Sequence, residues 1–160
     1  MRRTRPLPAL FQRFLVQGSP ARRAARSRER KTASKEIVPL TTTQVIPILR
    51  IFSVEKAKEF YVGFLGFKVD WEHRFEENSP LYTQISLGGL VLHLSEHHGD
   101  GCPGSTVFVK VTGLEACHTE LLRKNYTYLR PGIETEPWNA KSVQVIDPFG
   151  NRIRFNEYLK

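Results

Sequence analysis

From Thr42 to the C-terminus, apolar and polar side chains alternate with period two, broken by two stretches of helical spacing. The clearest alternation lies at the end of the chain. SVQVI and RIRFNE flank the turn DPFGN at 147–151, where an Asp can bond its own backbone, a Pro fixes φ and a Gly is free to take positive φ. These runs predict a hairpin with Arg152, Arg154 and Asn156 on one strand face and Ile153 and Phe155 on the other. Upstream, TTQVIPILRIF predicts a strand in which Pro47 implies an edge position or a hinge, because it cannot donate to a ladder. Ser53 is placed as an N-cap before Val54, Ala57, Phe60, Tyr61, Phe64 and Leu65, a helix of about three turns that Gly66 ends.

FKVDWEHRF, LYTQIS and LVLHLSEHH then read as three strands, and the same order recurs. In STVFVKV, Val107 and Val109 oppose Thr106, Phe108 and Lys110. Thr112 with Glu115 three residues on reads as a capping box for a helix with a stripe of Leu114, Cys117, Leu121 and Leu122. Three more strands are placed in YTYLRPGIETEPW, KSVQVI and RIRFNEYL, so two βαβββ units fill residues 42–157 of an α+β chain.

The segments SVEKAKEFYVGFLGF and DPFGN, with Trp138 nine residues upstream of Asp147, resemble the glyoxalase and bleomycin-resistance superfamily, most closely the bleomycin-resistance proteins. The resemblance implies the vicinal oxygen chelate fold, in which paired βαβββ modules cup a cleft. It also implies a homodimer: bleomycin-resistance proteins carry a proline at the place of Pro47, and their first strand crosses to the partner.

Charge divides the chain. Residues 1–35 hold 11 Lys and Arg against one acid, Glu29, whereas residues 36–160 hold 13 against 15. Such an Arg-rich leader fits an organelle transit peptide, an arm for nucleic acid or anionic lipid, or a start placed too early. Met1 is the only methionine, so a later start needs a non-ATG codon, for example at Val38. The domain is therefore placed at 36–160. Nucleic acid would rest on the leader alone. No run is long and apolar enough for a membrane-spanning helix. Cys102 and Cys117 read as free thiols of a reducing compartment, which places the protein in the cytoplasm.

Metal-dependent relatives draw His and Glu ligands from the first and last strand of each module. The resemblance puts Ile46, His93, Thr106 and Arg154 at those places, and Ile and Arg cannot bind a divalent cation. No metal or other cofactor is expected. In HLSEHHGD, His93 and His97 fall on one strand face and Glu96 and His98 on the other, so the cluster converges only in part. It reads as a polar strand end, as a ligand-facing His93, or as part of a displaced metal site. No phosphate-binding Gly loop, CxxC or Ser-nucleophile motif is present.

Trp71, Tyr82, His93, Phe108, Trp138 and Arg154 are the candidate ligand-binding residues, and no catalytic residue is assigned. Aromatics beside Glu72, Glu76 and Glu77 suit a flat cationic ligand, while Arg152 and Arg154 oppose one of strong positive charge. Trp71 and Trp138 serve equally as core residues. PW at 137–138 resembles the start of the PWG element of bleomycin-resistance proteins, but Asn139 stands where Gly would. The reading is a metal-independent binder that sequesters a drug such as bleomycin. The alternatives are a metal-dependent lyase or dioxygenase of the same fold, and a binding module for an endogenous metabolite.

Overall fold

A computed structural model describes residues 40–160, and the basic leader of residues 1–35 lies outside them. The first module contains β1 (Ile48–Arg50), α1 (Val54–Ala57) continued by a π-helical segment (Lys58–Phe64), β2 (Lys68–His73), β3 (Tyr82–Leu87) and β4 (Leu90–Ser95). The second contains β5 (Thr106–Lys110), α2 (Leu114–Arg123), β6 (Ile133–Glu136), β7 (Ala140–Ile146) and β8 (Arg152–Tyr158). Each forms a four-stranded sheet, in the orders β1-β4-β3-β2 and β5-β8-β7-β6. In both sheets the first strand runs parallel to the last and the other pairs are antiparallel. Two βαβββ modules are thus the architecture of residues 48–158.

The strand expected from Thr42 is shorter than the alternation suggests. Ladder pairing begins at Ile48, directly after Pro47, and β1 is an edge strand, as a residue without an N–H requires. The Pro47 carbonyl still accepts from the His93 N–H at 2.9 Å.

Ser53 caps α1 as expected, its Oγ accepting from the Lys56 N–H at 3.3 Å. From Lys58 the turns widen to π geometry, and the Leu65 N–H reaches back five residues to the Phe60 carbonyl. This widening still buries Ala57, Phe60, Tyr61, Phe64 and Leu65 on one side. Gly66 follows at φ +84°, where a side chain would be strained.

The capping box at α2 does not form. Gly113, at φ 77°, occupies the cap position. The Glu157 carboxylate, reaching from β8, accepts from the N–H groups of Gly113 at 2.7 Å and Leu114 at 3.0 Å. Glu115 pairs instead with Lys141 on β7. The apolar stripe of α2 is also narrower than expected, since Leu114 and Leu121 are buried while Cys117 and Leu122 are exposed.

One hydrophobic core serves both modules. Leu49, Ile51, Ile85, Leu92 and Leu94 of the first belong to the same cluster as Val143, Val145, Ile153 and Phe155 of the second. Full burial of each such side chain is worth about 1.5–3 kcal/mol relative to exposure. The helices cover this face of each sheet, so the even-numbered residues of β5, β7 and β8 point the other way, onto the concave face.

Candidate functional site

On the first-module sheet, Thr83 and Ile85 of β3 and Leu92 and Leu94 of β4 turn to the core, which leaves Tyr82, Gln84 and His93 on the concave face. Strand β2 joins them through a bulge. Val69 pairs with Ile85 and Trp71 with Gln84, so Asp70 is the extra residue between them. The shift brings both Asp70 and Trp71 to the concave side. It also turns Glu72 the other way, where it pairs with Lys58 of the helix at 2.7 Å. Glu72 therefore does not supply the acid expected beside the aromatics. Glu76 and Glu77 are exposed in the loop between β2 and β3.

Trp71 stacks on Tyr82, with ring centroids 5.9 Å apart and an interplanar angle of 16°. His93 meets both edge-on, at 5.3 Å from Trp71 and 5.2 Å from Tyr82. Trp71 retains 41% of its surface exposed, so it is a platform rather than a core residue.

The protons of this cluster follow from one carboxylate. Asp70 accepts from the Gln84 amide nitrogen at 3.0 Å and from the Ser86 hydroxyl at 2.8 Å, and these bonds hold its carboxyl below the ordinary range. Gln84 Oε1 is thereby aimed at His93 Nε2, 3.1 Å away, so Nε2 must carry the hydrogen. Nδ1 is then an acceptor and takes the Tyr82 O–H at 2.8 Å. Burial keeps the His93 pKa below its ordinary value, so the ring is neutral at pH 7. Burial, with Asp100 nearby, raises that of Tyr82, which keeps its proton.

The rest of HLSEHHGD divides as the strand faces imply. His97 lies 6.4 Å from Tyr82, on the side of His93. Glu96 turns away to accept from the Leu81 N–H and to pair with Arg74.

The second-module face carries Phe108 and Arg154 as direct neighbours across β5 and β8. Phe108 is half exposed, and Arg154 donates from Nε to Gln144 Oε1 at 2.8 Å. Trp138, also half exposed, stands apart from both groups in the turn between β6 and β7. Asn139 adopts φ 58° there, the left-handed conformation a Gly would supply, and ties the turn to the Leu159 carbonyl.

The ladders set Ile48 across from His93 and Phe108 across from Arg154, while Thr106 pairs with Arg152 and Ile46 precedes β1. Ile48 and Phe108 offer no donor, Arg154 is a fixed cation, and both ring nitrogens of His93 are engaged. This donor set does not fit a divalent metal. Among the described residues, no three His, Cys, Asp or Glu side chains converge on a point that could hold one. No helix among them is long and apolar enough to cross a membrane.

Hollows of about 540 Å³ and about 750 Å³ lie elsewhere. Lys56, Phe60, Tyr126 and Tyr128 help to line the first, and Leu87, Val109 and Cys117 the second.

The fold matches solved structures over about three-quarters of the chain. A bleomycin-binding protein complexed with bleomycin is 19% identical, with a TM-score of 0.56 over 74% of this chain and 100% of its own. TnmS3, an antibiotic binding protein from Streptomyces sp. CB03234, is 20% identical, with a TM-score of 0.60 over 76% and 100%. A glyoxalase-related enzyme from Clostridium phytofermentans is 18% identical, with a TM-score of 0.62 over 77% and 100%. No curated protein matches the chain in sequence. The family model described as "Glyoxalase superfamily protein" matches residues 31–160, and the chain belongs to that superfamily.

Proposed function

We propose that the protein is a metal-independent binder of a small aromatic molecule, held on the concave faces and sequestered rather than turned over. The exposed stack of Trp71 on Tyr82 carries this reading: it is a flat apolar surface whose polar edge, His93, is already satisfied by its neighbours. Proteins with similar folds that bind bleomycin or another antibiotic support the same class, and bleomycin is the first compound to try. The lyase or dioxygenase alternative lacks support, because Ile48, Phe108 and Arg154 provide no metal donor and the His93 Nδ1 lone pair is taken by Tyr82.

The working unit in this reading is a homodimer. Ile48, Trp71 and Phe108 leave much of their surface exposed on open sheet faces, and a second copy would close each face into a cleft. Residues 36–160 would be the folded domain and residues 1–35 an appended leader. A cytoplasmic site of action suits Cys102 and Cys117, both exposed free thiols.

Calorimetry with bleomycin in the presence of EDTA tests the reading, alongside elemental analysis of the purified protein. Saturable binding that Trp71→Ala abolishes is expected. Binding that requires added metal, or about one tightly held zinc, nickel or iron per chain, would overturn it.

A further inference from the structure

The hollow of about 540 Å³ lies beside the first-module helix and shares no residue with the platform of Trp71, Tyr82 and His93. Both modules wall it. Phe60 comes from the first-module helix, Tyr126, Tyr128 and Leu129 from the segment that follows α2, and Asp147 and Pro148 from the turn between β7 and β8. Its volume falls in the range of about 300–1,000 Å³ usual for small-molecule pockets, and its lining has their character, mostly rings and apolar side chains with a few polar groups.

The aromatic walls are held in place by the protein itself. Tyr126 stacks on the buried Phe64, with centroids 4.6 Å apart and an interplanar angle of 17°, and meets Phe60 edge-on at 6.0 Å. Tyr128 meets Tyr126 edge-on at 5.5 Å. Lys124, at the end of α2, pins this segment to the helix by donating from Nζ to the Phe64 carbonyl at 2.8 Å. The π-helical segment Lys58–Phe64 thus carries both Phe60 on the wall and Phe64 beneath Tyr126, and π turns are rare and gather at functional sites. Tyr128 keeps 72% of its surface exposed, which leaves most of one aromatic wall to a ligand.

The charges on the wall are already matched. Lys56 pairs with Glu59 at 2.9 Å, and its Nζ lies 5.6 Å from the centre of the Tyr128 ring. Asp147 accepts on Oδ1 from the N–H groups of Phe149 and Asn151, and on Oδ2 from the Tyr61 hydroxyl and the Asn151 side chain. A ligand charge buried here would go unpaired or break one of these sets, a cost that a neutral ring does not meet. We propose that this hollow is a second binding site, for a neutral molecule with a flat aromatic ring system held between Phe60 and the two tyrosines. It goes beyond the concave-face reading and does not rest on it. Since residues of both modules wall the hollow, an occupant adds contacts across their junction.

The test is calorimetry of the full chain with 2-naphthol, 2-naphthoate and 2-naphthylmethylammonium at neutral pH and fixed ionic strength, in a Trp71→Ala background that takes away the concave platform. 2-Naphthol is expected to bind saturably, at least about tenfold tighter than either charged analogue. Tyr128→Ala added to that background should weaken 2-naphthol about fivefold by removing an exposed ring from the wall. With the unsubstituted chain, nuclear Overhauser contacts should run from 2-naphthol to the Tyr126 and Tyr128 rings, a readout that depends on no variant. A charged analogue that binds as tightly as 2-naphthol overturns the ligand class. Binding that Tyr128→Ala leaves unchanged, contacts confined to Trp71 and Tyr82, or no saturable heat overturns the site itself. Binding already lost in Trp71→Ala alone puts 2-naphthol on the concave platform, which overturns this proposal and leaves the earlier reading standing.

Discussion

The Tyr61 hydroxyl donates a 2.8 Å hydrogen bond to Oδ2 of Asp147, joining the first-module helix to the second-module hairpin across 86 residues of sequence. Asp147 also accepts from the N–H groups of Phe149 and Asn151 and from the Asn151 side chain, which in turn donates to the Arg50 carbonyl at the end of β1. Burial raises the pKa of Asp147 despite these donors, and burial beside Asp147 pushes the Tyr61 phenol far above its usual range, so it remains a donor. Tyr61→Phe leaves the ring packed but removes one donor from a buried carboxyl. The expected loss is about 1–3 kcal/mol in urea unfolding. A change below about 0.5 kcal/mol, the size usual for surface substitutions, would mean that the pair does not fasten the modules together.

The cap of α2 yields an opposed pair of outcomes. Glu157→Gln removes the charge that satisfies two N–H groups at the helix start and should cost about 1 kcal/mol. Thr112→Ala should stay within about 0.5 kcal/mol. Thermal unfolding of the two variants separates this cap from a local capping box, which would reverse the order.

His93 gives a dependence on pH. Burial sets its folded-state pKa below the ordinary 6.5, so above that pH the ring is neutral in both states and its contribution to stability is complete. As pH falls through 6.5 the unfolded chain takes up a proton first, and stability declines until pH passes the lower folded value. NMR titration of the His93 ring should therefore report a pKa below 6.5. Tyr82→Phe, which deletes the donor to Nδ1, should move it upward.

Removing residues 1–35 should leave the thermal midpoint of the domain unchanged, because a leader of 11 basic residues against one acid has little to bury. A fall of several degrees in scanning calorimetry would show that the leader docks.

Much of this was legible in local pattern. The DPFGN turn set the β7–β8 register, with Ile146 opposite Arg152, and the alternation of RIRF put Arg152 and Arg154 away from the core. Phe60, Tyr61 and Phe64 recur at helical spacing and lie buried even though their helix widens, because one apolar side must face the sheet in either geometry. The features that escaped are set by distant residues. Nothing in KVDWEH marks Asp70 as a bulge; its bonds go to Gln84 and Ser86, fourteen and sixteen residues on, and the shift reverses the face of Glu72. The cap at Gly113 likewise depends on Glu157, 44 residues away.

The central claim is that Trp71, Tyr82 and His93 form a ligand platform that needs no metal. The most direct measurement is the indole N–H resonance of Trp71 in a two-dimensional NMR titration with bleomycin, in EDTA, assigned with Trp138→Phe. Bleomycin should give a saturable shift of the Trp71 indole and of the Tyr82 and His93 ring signals. Binding that leaves these three residues unmoved, or that moves them only after a divalent metal is restored, would contradict the account.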